Sequence, residues 1–245
     1  MIYIEHNYVV MDYTDEIREA LGKLKKFMEK TRRHVELQDC LFLSCDHNGD
    51  FVLFATDGAA LGMYRLKTDV CIPSGKELSL VWSTRKMDTD KIALRFHIDK
   101  RHCPNIKALL RGWESPFDVC VNKRGSFLHF CEQVATQKKT PIARVIRFYE
   151  ADGRLLCKGG EYGIDCEYVF DSCTPANLVS CNGKTLDFFS RYSLTLNAQY
   201  LKKITSCLTG KSFKFSFSSV GSFASFSEGN YRYLVMPLVE IGASI

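Results

Sequence analysis

One pattern occurs twice in this 245-residue chain and constrains its fold more than any other feature: an amphipathic helix followed by a β-hairpin. Asn48-Gly49 makes the hairpin turn in the first copy, and Asp152-Gly153 makes it in the second. Both dipeptides favour the left-handed backbone that a tight hairpin requires. The two glycines are 104 residues apart. A unit repeated at that spacing predicts two domains of similar build, at residues 1–118 and 119–245.

Three helices are predicted from apolar residues at helical spacing. The first begins at Thr14, the second at Ser126 and the third at Asn197, and each of these side chains can cap a helix. Thr209-Gly210 is expected to end the third helix. The apolar faces are Ile17, Leu21, Leu24, Phe27 and Met28; Phe127, Phe130, Cys131 and Val134; and Leu201, Ile204 and Leu208.

Short strands are predicted for most of the remaining chain. The segment from Ser83 to Asp88 leaves room for only a short helix, and Asn182-Gly183 is expected to break the chain direction. Almost no segment is long enough for a parallel α/β arrangement, so the pattern predicts an antiparallel α+β protein. Outside the two hairpins, the strands are predicted at 1–12, 61–66, 77–82, 91–98, 213–218, 221–227 and 232–238.

Composition predicts a folded protein of the cytoplasm. Hydrophobic residues make up 46% of the chain, enough for a sizeable core. No apolar run approaches the roughly 18 residues of a membrane span, and the N-terminus lacks the features of a signal peptide. The eleven cysteines are odd in number and contain no C-x-x-C pair, so we expect reduced thiols.

The sequence makes no positive case for an enzyme. None of the six histidines lies three or four residues from another, so no helix carries a metal-binding pair. His102 and Cys103 are adjacent, but a nucleophilic pair needs spatial rather than sequential proximity. There is no phosphate-binding loop and no G-x-S-x-G. We therefore predict no catalytic residue, no metal and no cofactor.

The net charge of +5 is concentrated in the second half of the chain. Residues 1–118 contain 18 basic and 18 acidic residues, whereas residues 119–245 contain 15 and 10. This excess of positive charge permits loose contact with phosphates but does not by itself prove that the protein binds nucleic acid. The basic residues of the first helix are compatible with an ordinary solvated face, which is the commoner case, and with a stripe directed at a phosphate backbone.

Four motifs resemble the bacterial sliding clamp, the beta subunit of DNA polymerase III. Ala55-Thr56-Asp57-Gly58 with Leu61 resembles its A-T-D-G-x-R-L segment, and the stretch from Trp113 to Val121 is similar to the connection between its second and third domains. Ser193–Leu201 resembles the start of its last helix, and Tyr233–Leu238 its terminal Y-V-V-M-P-M. Their order and spacing agree across most of the chain.

The resemblance implies the DNA clamp fold, in which each domain has an antiparallel outer sheet and inward-facing helices. The bacterial chain has three domains and closes a six-domain ring as a dimer, whereas this chain resembles only the second and third. Two domains per chain imply a homotrimer, and a closed ring leaves no exposed sheet edge. The missing domain suggests a phage-type clamp in a bacterial or phage-infected cytoplasm.

The family binds short peptides of polymerases and clamp loaders in an apolar groove. Seen alone, the apolar residues among them are compatible with an ordinary core, and for the terminal strand a core position is the commoner case. Ala59-Ala60 and Cys120 depart from the family's polar residues at those positions, so polar contacts to the peptide are lost. The resemblance assigns the groove to Thr56, Gly58, Leu61, Pro116, Val121, Asn197, Tyr200, Val220, Ser222, Leu234, Val235, Met236, Pro237 and Leu238.

The resemblance also implies contact with double-stranded DNA through its backbone, without base recognition. The candidate residues are Arg18, Lys25, Lys26, Arg32, Lys138, Lys139, Lys202 and Lys203.

These features predict a processivity factor that encircles duplex DNA and tethers a polymerase. An alternative is a clamp-fold protein that does not encircle DNA, either a decoy that occupies clamp partners or a transcription co-activator. A third alternative, an enzyme with an unrecognised site, has no residue to support it.

Overall fold

The protein, described by a computed structural model, consists of two compact units. The first comprises Met1–Trp113 and Gly229–Tyr233, and the second comprises Glu114–Glu228 and Leu234–Ile245. The structure describes residues 1–28, 37, 39–46, 48–67, 69–71, 78–86, 90–96, 104–110, 116–136, 144–161, 167–168, 178–218 and 222–238.

The described residues of the first unit form two helices and eight strands that lie wholly within it. Its helices are α1 (Asp15–Leu24), which continues into a 3-10 turn at Lys25–Phe27, and α2 (Ile106–Leu110). Its strands are β1 (Ile2–Glu5), β2 (Tyr8–Asp12), β3 (Cys40–Cys45), β4 (Phe51–Thr56), β5 (Ala60–Arg65), β6 (Val70–Cys71), β7 (Leu78–Lys86) and β8 (Lys91–Phe96).

In the second unit, the part of the chain that the structure describes forms three helices and the remaining strands. The helices are α3 (Arg124–Thr136), α4 (Gly183–Phe189) and α5 (Ala198–Thr205). The strands are β9 (Phe117–Val121), β10 (Arg144–Ala151), β11 (Arg154–Glu161), β12 (Glu167–Tyr168), β13 (Val179–Cys181), β14 (Leu194–Asn197), β15 (Phe213–Phe217), β16 (Ala224–Glu228) and β17 (Tyr231–Val235), whose first three residues belong to the first unit.

Helix α1 forms for the reasons its sequence indicates. The Thr14 hydroxyl accepts a hydrogen bond from the Ile17 backbone N–H, and acidic residues occupy the first turn, where the helix dipole favours them. All five predicted apolar residues are buried, including Phe27 and Met28 beyond the helix itself. Phe27 stacks on Tyr233 with ring centroids 5.3 Å apart. The predicted face is confirmed.

The strand pairs described in the sheet of the first unit are antiparallel, except for the short parallel pair of β1 and β6. The strands follow the order β17-β5-β4-β3-β7-β8-β2-β1-β6. The predicted β3–β4 hairpin is confirmed, and Gly49 has a φ of +88° in its turn. Strand β3 is buried throughout, which explains its nearly continuous apolar sequence.

The second unit has two antiparallel sheets, with strand orders β13-β9-β15-β16 and β12-β11-β10-β14. The predicted β10–β11 hairpin is confirmed. Asp152 and Gly153 both have positive φ, 52° and 70°, as the mirror-image turn of a two-residue hairpin requires. Helix α3 packs against both sheets. Its Phe127 ring centroid lies 6.3 Å from that of Phe148 in β10 and 5.8 Å from that of Phe213 in β15.

The apolar faces predicted for α3 and α5 are confirmed, since every member is buried. Their boundaries were predicted less well. Helix α3 begins at Arg124 rather than being capped by Ser126. Helix α5 begins after Asn197, as predicted, but ends at Thr205 with Ser206 as its C-cap. The backbone N–H groups of Thr209 and Gly210 instead donate to the Glu228 carboxylate.

Three other predictions are wrong. Residues 83–86 form no short helix, because β7 continues to Lys86 and pairs with β8. Asn182-Gly183 does not break the chain but starts α4, with the Asn182 side chain accepting a hydrogen bond from the Thr185 N–H. The last strand ends at Val235, not at residue 238.

The α+β class and the antiparallel sheets are as predicted. Among the residues that the structure describes, no helix is long and apolar enough to cross a membrane.

Candidate functional site

Three predicted groove residues form the turn between β4 and β5 in the first unit. The Thr56 hydroxyl donates to the Ala60 carbonyl at 2.8 Å and accepts from the Gly58 N–H at 3.1 Å. Gly58 has a φ of +89°, a conformation that favours glycine. Leu61 pairs with Thr56 across the strands, and both side chains are nearly buried.

Asp57 has a structural role in this turn. Its carboxylate accepts hydrogen bonds from the backbone N–H groups of Ala59 and Ala60, at 3.2 and 2.9 Å. Aspartate before glycine is typical of a turn, and this geometry fits that role.

The chain after β17 supplies an accessible apolar side chain of the second unit, that of Met236. The Leu238 N–H donates to the Thr195 carbonyl at 2.9 Å, so the segment from Met236 to Leu238 is fastened to β14, the edge strand of its sheet. Pro237 is buried, Leu238 is half-buried and Met236 is 47% exposed. A methionine held this way on a fixed backbone offers a flexible apolar contact to a partner.

Asn197 and Tyr200 lie at the start of α5, two and five residues beyond the carbonyl that holds Leu238. The Asn197 side chain caps the helix by accepting from the Gln199 N–H at 2.8 Å. Tyr200 is half-buried, and the Lys203 ammonium lies 4.9 Å from its ring centroid. This distance permits a cation–π interaction.

The other predicted groove residues of the second unit differ in accessibility. Pro116 is exposed, and the half-buried Ser222 accepts a hydrogen bond from the Ser218 N–H. Val121 and Val235 have no exposed surface, and Leu234 has almost none. Val220 lies outside the described residues. Within this unit, the side chains open to a partner are therefore those of Pro116, Asn197, Tyr200, Ser222, Met236 and Leu238.

The DNA-contact candidates of the first unit lie on and after α1. Arg18 forms an ion pair of 2.8 Å with Asp15, and its guanidinium lies 4.9 Å from the Tyr13 ring centroid. Lys25 and Lys26 are exposed in the 3-10 turn. Arg32, and in the second unit Lys138 and Lys139, lie outside the described residues.

In the second unit, α3 and α5 form an antiparallel pair. Gln199, at the start of α5, donates to the Ala135 carbonyl near the end of α3, at 3.2 Å. At the opposite ends, Arg124 donates from Nε to the Gly210 carbonyl and from Nη1 to the Thr205 carbonyl, at 2.8 and 3.3 Å. On α5, the Lys202 ammonium lies 3.9 Å from the Glu132 carboxylate of α3.

Sequence reasoning missed the role of Arg124. A cation that satisfies carbonyls at the end of another helix complements the partial negative charge there. No local signal identifies it, because its partners are more than 80 residues away in the chain.

Two observations bear on chemistry at the described residues. No group of three His, Cys, Asp or Glu side chains among them could hold a metal ion. Burial raises the pKa of the Cys157 thiol to about 12 and that of Cys131 well above its usual value. These two cysteines therefore carry protonated thiols in the core and are poor nucleophiles.

Among the comparisons with known proteins, the solved structures identify the fold. No protein-family model matches the sequence, and no curated protein matches it either. Among solved structures, the DNA polymerase III beta subunit of Caulobacter crescentus matches 97% of this chain and 68% of its own length, with a TM-score of 0.69 and 15% identity.

Two further structures match in the same way. The beta subunit of Borrelia burgdorferi, solved in complex with a natural product, is covered over 66% of its length, with a TM-score of 0.63 and 15% identity. The sliding clamp of Pseudomonas aeruginosa is covered over 76%, with a TM-score of 0.64 and 15% identity. These matches cover 96% and 98% of this chain. The resemblance stated from the motifs is confirmed at the level of the fold. This chain has the fold of the bacterial DNA polymerase III beta sliding clamp and corresponds to about two thirds to three quarters of the clamp's length.

Proposed function

We propose that this protein is a processivity factor: a sliding clamp that encircles duplex DNA and tethers a polymerase to it. The observation that carries the proposal is the clamp fold along 97% of the chain. Encircling needs no chemistry, because a closed ring stays on DNA by topology alone, and we propose a binding protein without enzymatic activity or cofactor. Its expected location is the cytoplasm of a bacterium or of a phage-infected host cell.

Ring closure is proposed to require three copies. The chain spans about two thirds of the length of the bacterial clamp. If residues 1–118 and 119–245 are each one clamp domain, a six-domain ring contains three chains. The two compact units support this division, although Gly229–Tyr233 belong to the first of them. A phage-type clamp of three chains is part of the same proposal.

Contact with DNA is proposed to be electrostatic and independent of sequence. Lys25 and Lys26 after α1, and Lys202 and Lys203 on α5, are cations on helices whose opposite faces are buried. Such contacts reach phosphates and weaken as salt is raised.

The polymerase and the clamp loader are proposed to bind through the groove residues. In the second unit, the support comes from Met236 and Leu238, which lie on a backbone held by the hydrogen bond to Thr195. A fixed apolar segment with few polar groups beside it suits a short peptide.

Native mass and retention on DNA test the ring. We expect a species of three times the 27.9 kDa chain over a range of concentrations, and retention on circular but not on linear DNA once the ring is loaded. A persistent monomer would contradict the proposal.

A second role, as a clamp-fold decoy or adaptor that does not encircle DNA, has one observation in its favour. Two of the described DNA-contact candidates have carboxylates beside them: Asp15 pairs with Arg18, and Glu132 lies near Lys202. Both pairs weaken the positive potential that a ring would offer to phosphates. A monomer that binds clamp partners but is not retained on circular DNA would establish this role.

Replacing Met236 by alanine is expected to weaken polymerase binding about 5- to 30-fold, because it removes an apolar side chain from the accessible part of the groove. Leu61→Ala is a less clean test, because Leu61 is nearly buried and its loss also destabilises the fold. Binding to the polymerase encoded by the same genome can be followed by surface plasmon resonance.

Leu109→Ala is the matched control, since Leu109 is another exposed apolar side chain, at 39%, in the first unit. It should bind the polymerase like the wild type. Equal affinities for Met236→Ala and Leu109→Ala would show that the groove assignment is wrong.

A further inference from the structure

A cleft of about 230 Å³ in the second unit concentrates cations and aromatic rings that the clamp function does not use. Its charged and aromatic lining residues are Arg147, Tyr149, Glu150, Lys158, Phe189, Arg191 and Tyr192. The volume is smaller than that of a typical small-molecule pocket, so the cleft accommodates one group of a larger ligand rather than a whole small molecule.

One wall of the cleft is the outer face of the β10–β11 hairpin. Side chains alternate across a strand, and the Phe148 ring of β10 packs against Phe127 of α3. Arg147 and Tyr149 therefore lie on the face away from α3. Lys158 pairs with Arg147 across the strands, and its ammonium lies 4.8 Å from the Tyr149 ring centroid.

The other wall is the segment that follows α4. The backbone N–H groups of Arg191 and Tyr192 both donate to the Phe188 carbonyl, which fixes this turn against the helix end. The Tyr192 ring packs on the Phe188 ring with centroids 5.2 Å apart, yet the residue remains 53% exposed. Phe189 is buried beneath. An aromatic ring supported from behind and open in front is a platform for stacking.

The charges of the cleft are mainly positive. Three cations, Arg147, Lys158 and Arg191, line it with a single carboxylate, that of Glu150. The Glu150 carboxylate accepts a hydrogen bond from the Gly153 N–H at 2.7 Å and so also serves the hairpin turn. A lining with three cations and one carboxylate favours an anionic group.

We propose that this cleft binds single-stranded nucleic acid, with phosphates at Arg147, Lys158 and Arg191 and one base stacked on Tyr192. Alternating phosphates and bases match a site that combines cations with a supported aromatic ring, and such stacking tolerates any base. An acidic peptide satisfies the cations but leaves the Tyr192 platform without a partner. The site belongs to the second unit alone and is separate from the residues proposed to contact duplex DNA.

The test is binding of a fluorescent thymidine oligonucleotide of about 12 nucleotides to the full chain, followed by anisotropy at several salt concentrations. Tyr192→Ala is expected to weaken binding about 5- to 100-fold, whereas Tyr192→Phe keeps the stacking surface and should bind like the wild type. Arg191→Ala should lower the slope of log affinity against log salt by about 0.7.

Arg154→Ala is the matched control, because Arg154 is an exposed cation of the same hairpin outside the cleft. It should leave the affinity within about twofold of the wild type. A short linear oligonucleotide cannot be encircled, so this result is independent of whether the protein forms a ring.

Three outcomes would overturn the proposal. The first is no binding of the oligonucleotide at low salt. The second is a loss of binding in Lys202→Ala but not in Tyr192→Ala, which would assign the oligonucleotide to α5. The third is equal binding of poly-glutamate with no effect of Tyr192→Ala, which would reduce the cleft to a general anion surface.

Discussion

Replacing Gly159 by alanine is expected to destabilise the second unit by about 1–3 kcal/mol, through overpacking. A Cβ on this residue of β11 would lie 2.2 Å from Val134 Cγ2 and 3.4 Å from Phe130 Cε2, both on α3. Val134 cannot easily turn away, because a valine in a helix has one strongly preferred rotamer. The loss can be measured from the midpoint of urea denaturation, followed by circular dichroism.

The double variant Gly159→Ala/Val134→Ala tests the cause. Removing the valine methyl groups makes room for the new Cβ, so the double variant should be more stable than the sum of the single losses predicts. Gly125→Ala is the control, because a Cβ there meets nothing within 4 Å, and it should be neutral or slightly stabilising. Strictly additive losses would show that helix and strand do not touch at Gly159.

Replacing Asp46 by alanine is expected to destabilise the first unit by about 2–4 kcal/mol. Its carboxylate is 2% exposed and accepts from the backbone N–H groups of Asn48 and Asp50, at 2.8 and 3.1 Å. It also accepts from Arg65 Nη2 at 3.1 Å. Alanine would leave the Asn48 and Asp50 N–H groups and one Arg65 donor without the acceptor that the fold places at this buried position. Urea denaturation again measures the change.

Asp50→Ala provides the comparison within the same network. Its carboxylate is about half exposed and lies 3.3 Å from Arg65 Nε, so water can replace it, and the expected loss is below about 1 kcal/mol. Asp46→Asn keeps an acceptor for the backbone groups but loses the charge, and should lie between the two alanine variants. The network assignment fails if Asp46→Ala is no less stable than Asp50→Ala.

Short-range patterns predicted the elements whose residues decide their own conformation. Thr14 and Asn197 cap their helices as expected, and the glycines of Asn48-Gly49 and Asp152-Gly153 make their turns. Every apolar residue predicted for the buried faces of α1, α3 and α5 is buried, because a helix that buries one face must repeat apolar side chains at its own period. The four motifs that resemble the bacterial sliding clamp were sufficient to predict the fold.

Helix α4 shows where such reasoning fails. Seven residues are too few to form a helix in isolation, and Asn-Gly favours a turn. The helix is held by contacts from distant parts of the unit: the Thr185 hydroxyl accepts from the Asp118 N–H at 3.1 Å, and the Phe188 ring lies 4.5 Å from Phe117. The continuation of β7 has the same explanation, since Lys86 pairs with Ile92.

The candidate sites divide along the same line. The sequence by itself determined the turn at Gly58, the cap at Asn197 and the apolar segment around Met236, because each depends on neighbouring residues and on a motif that can be read locally. Only the tertiary structure decided that Val121 and Val235 are fully buried while Met236 is accessible, and that Arg147, Lys158 and Arg191 line one cleft. Exposure and the convergence of charges depend on which distant strands and helices pack together, and no local pattern records that packing.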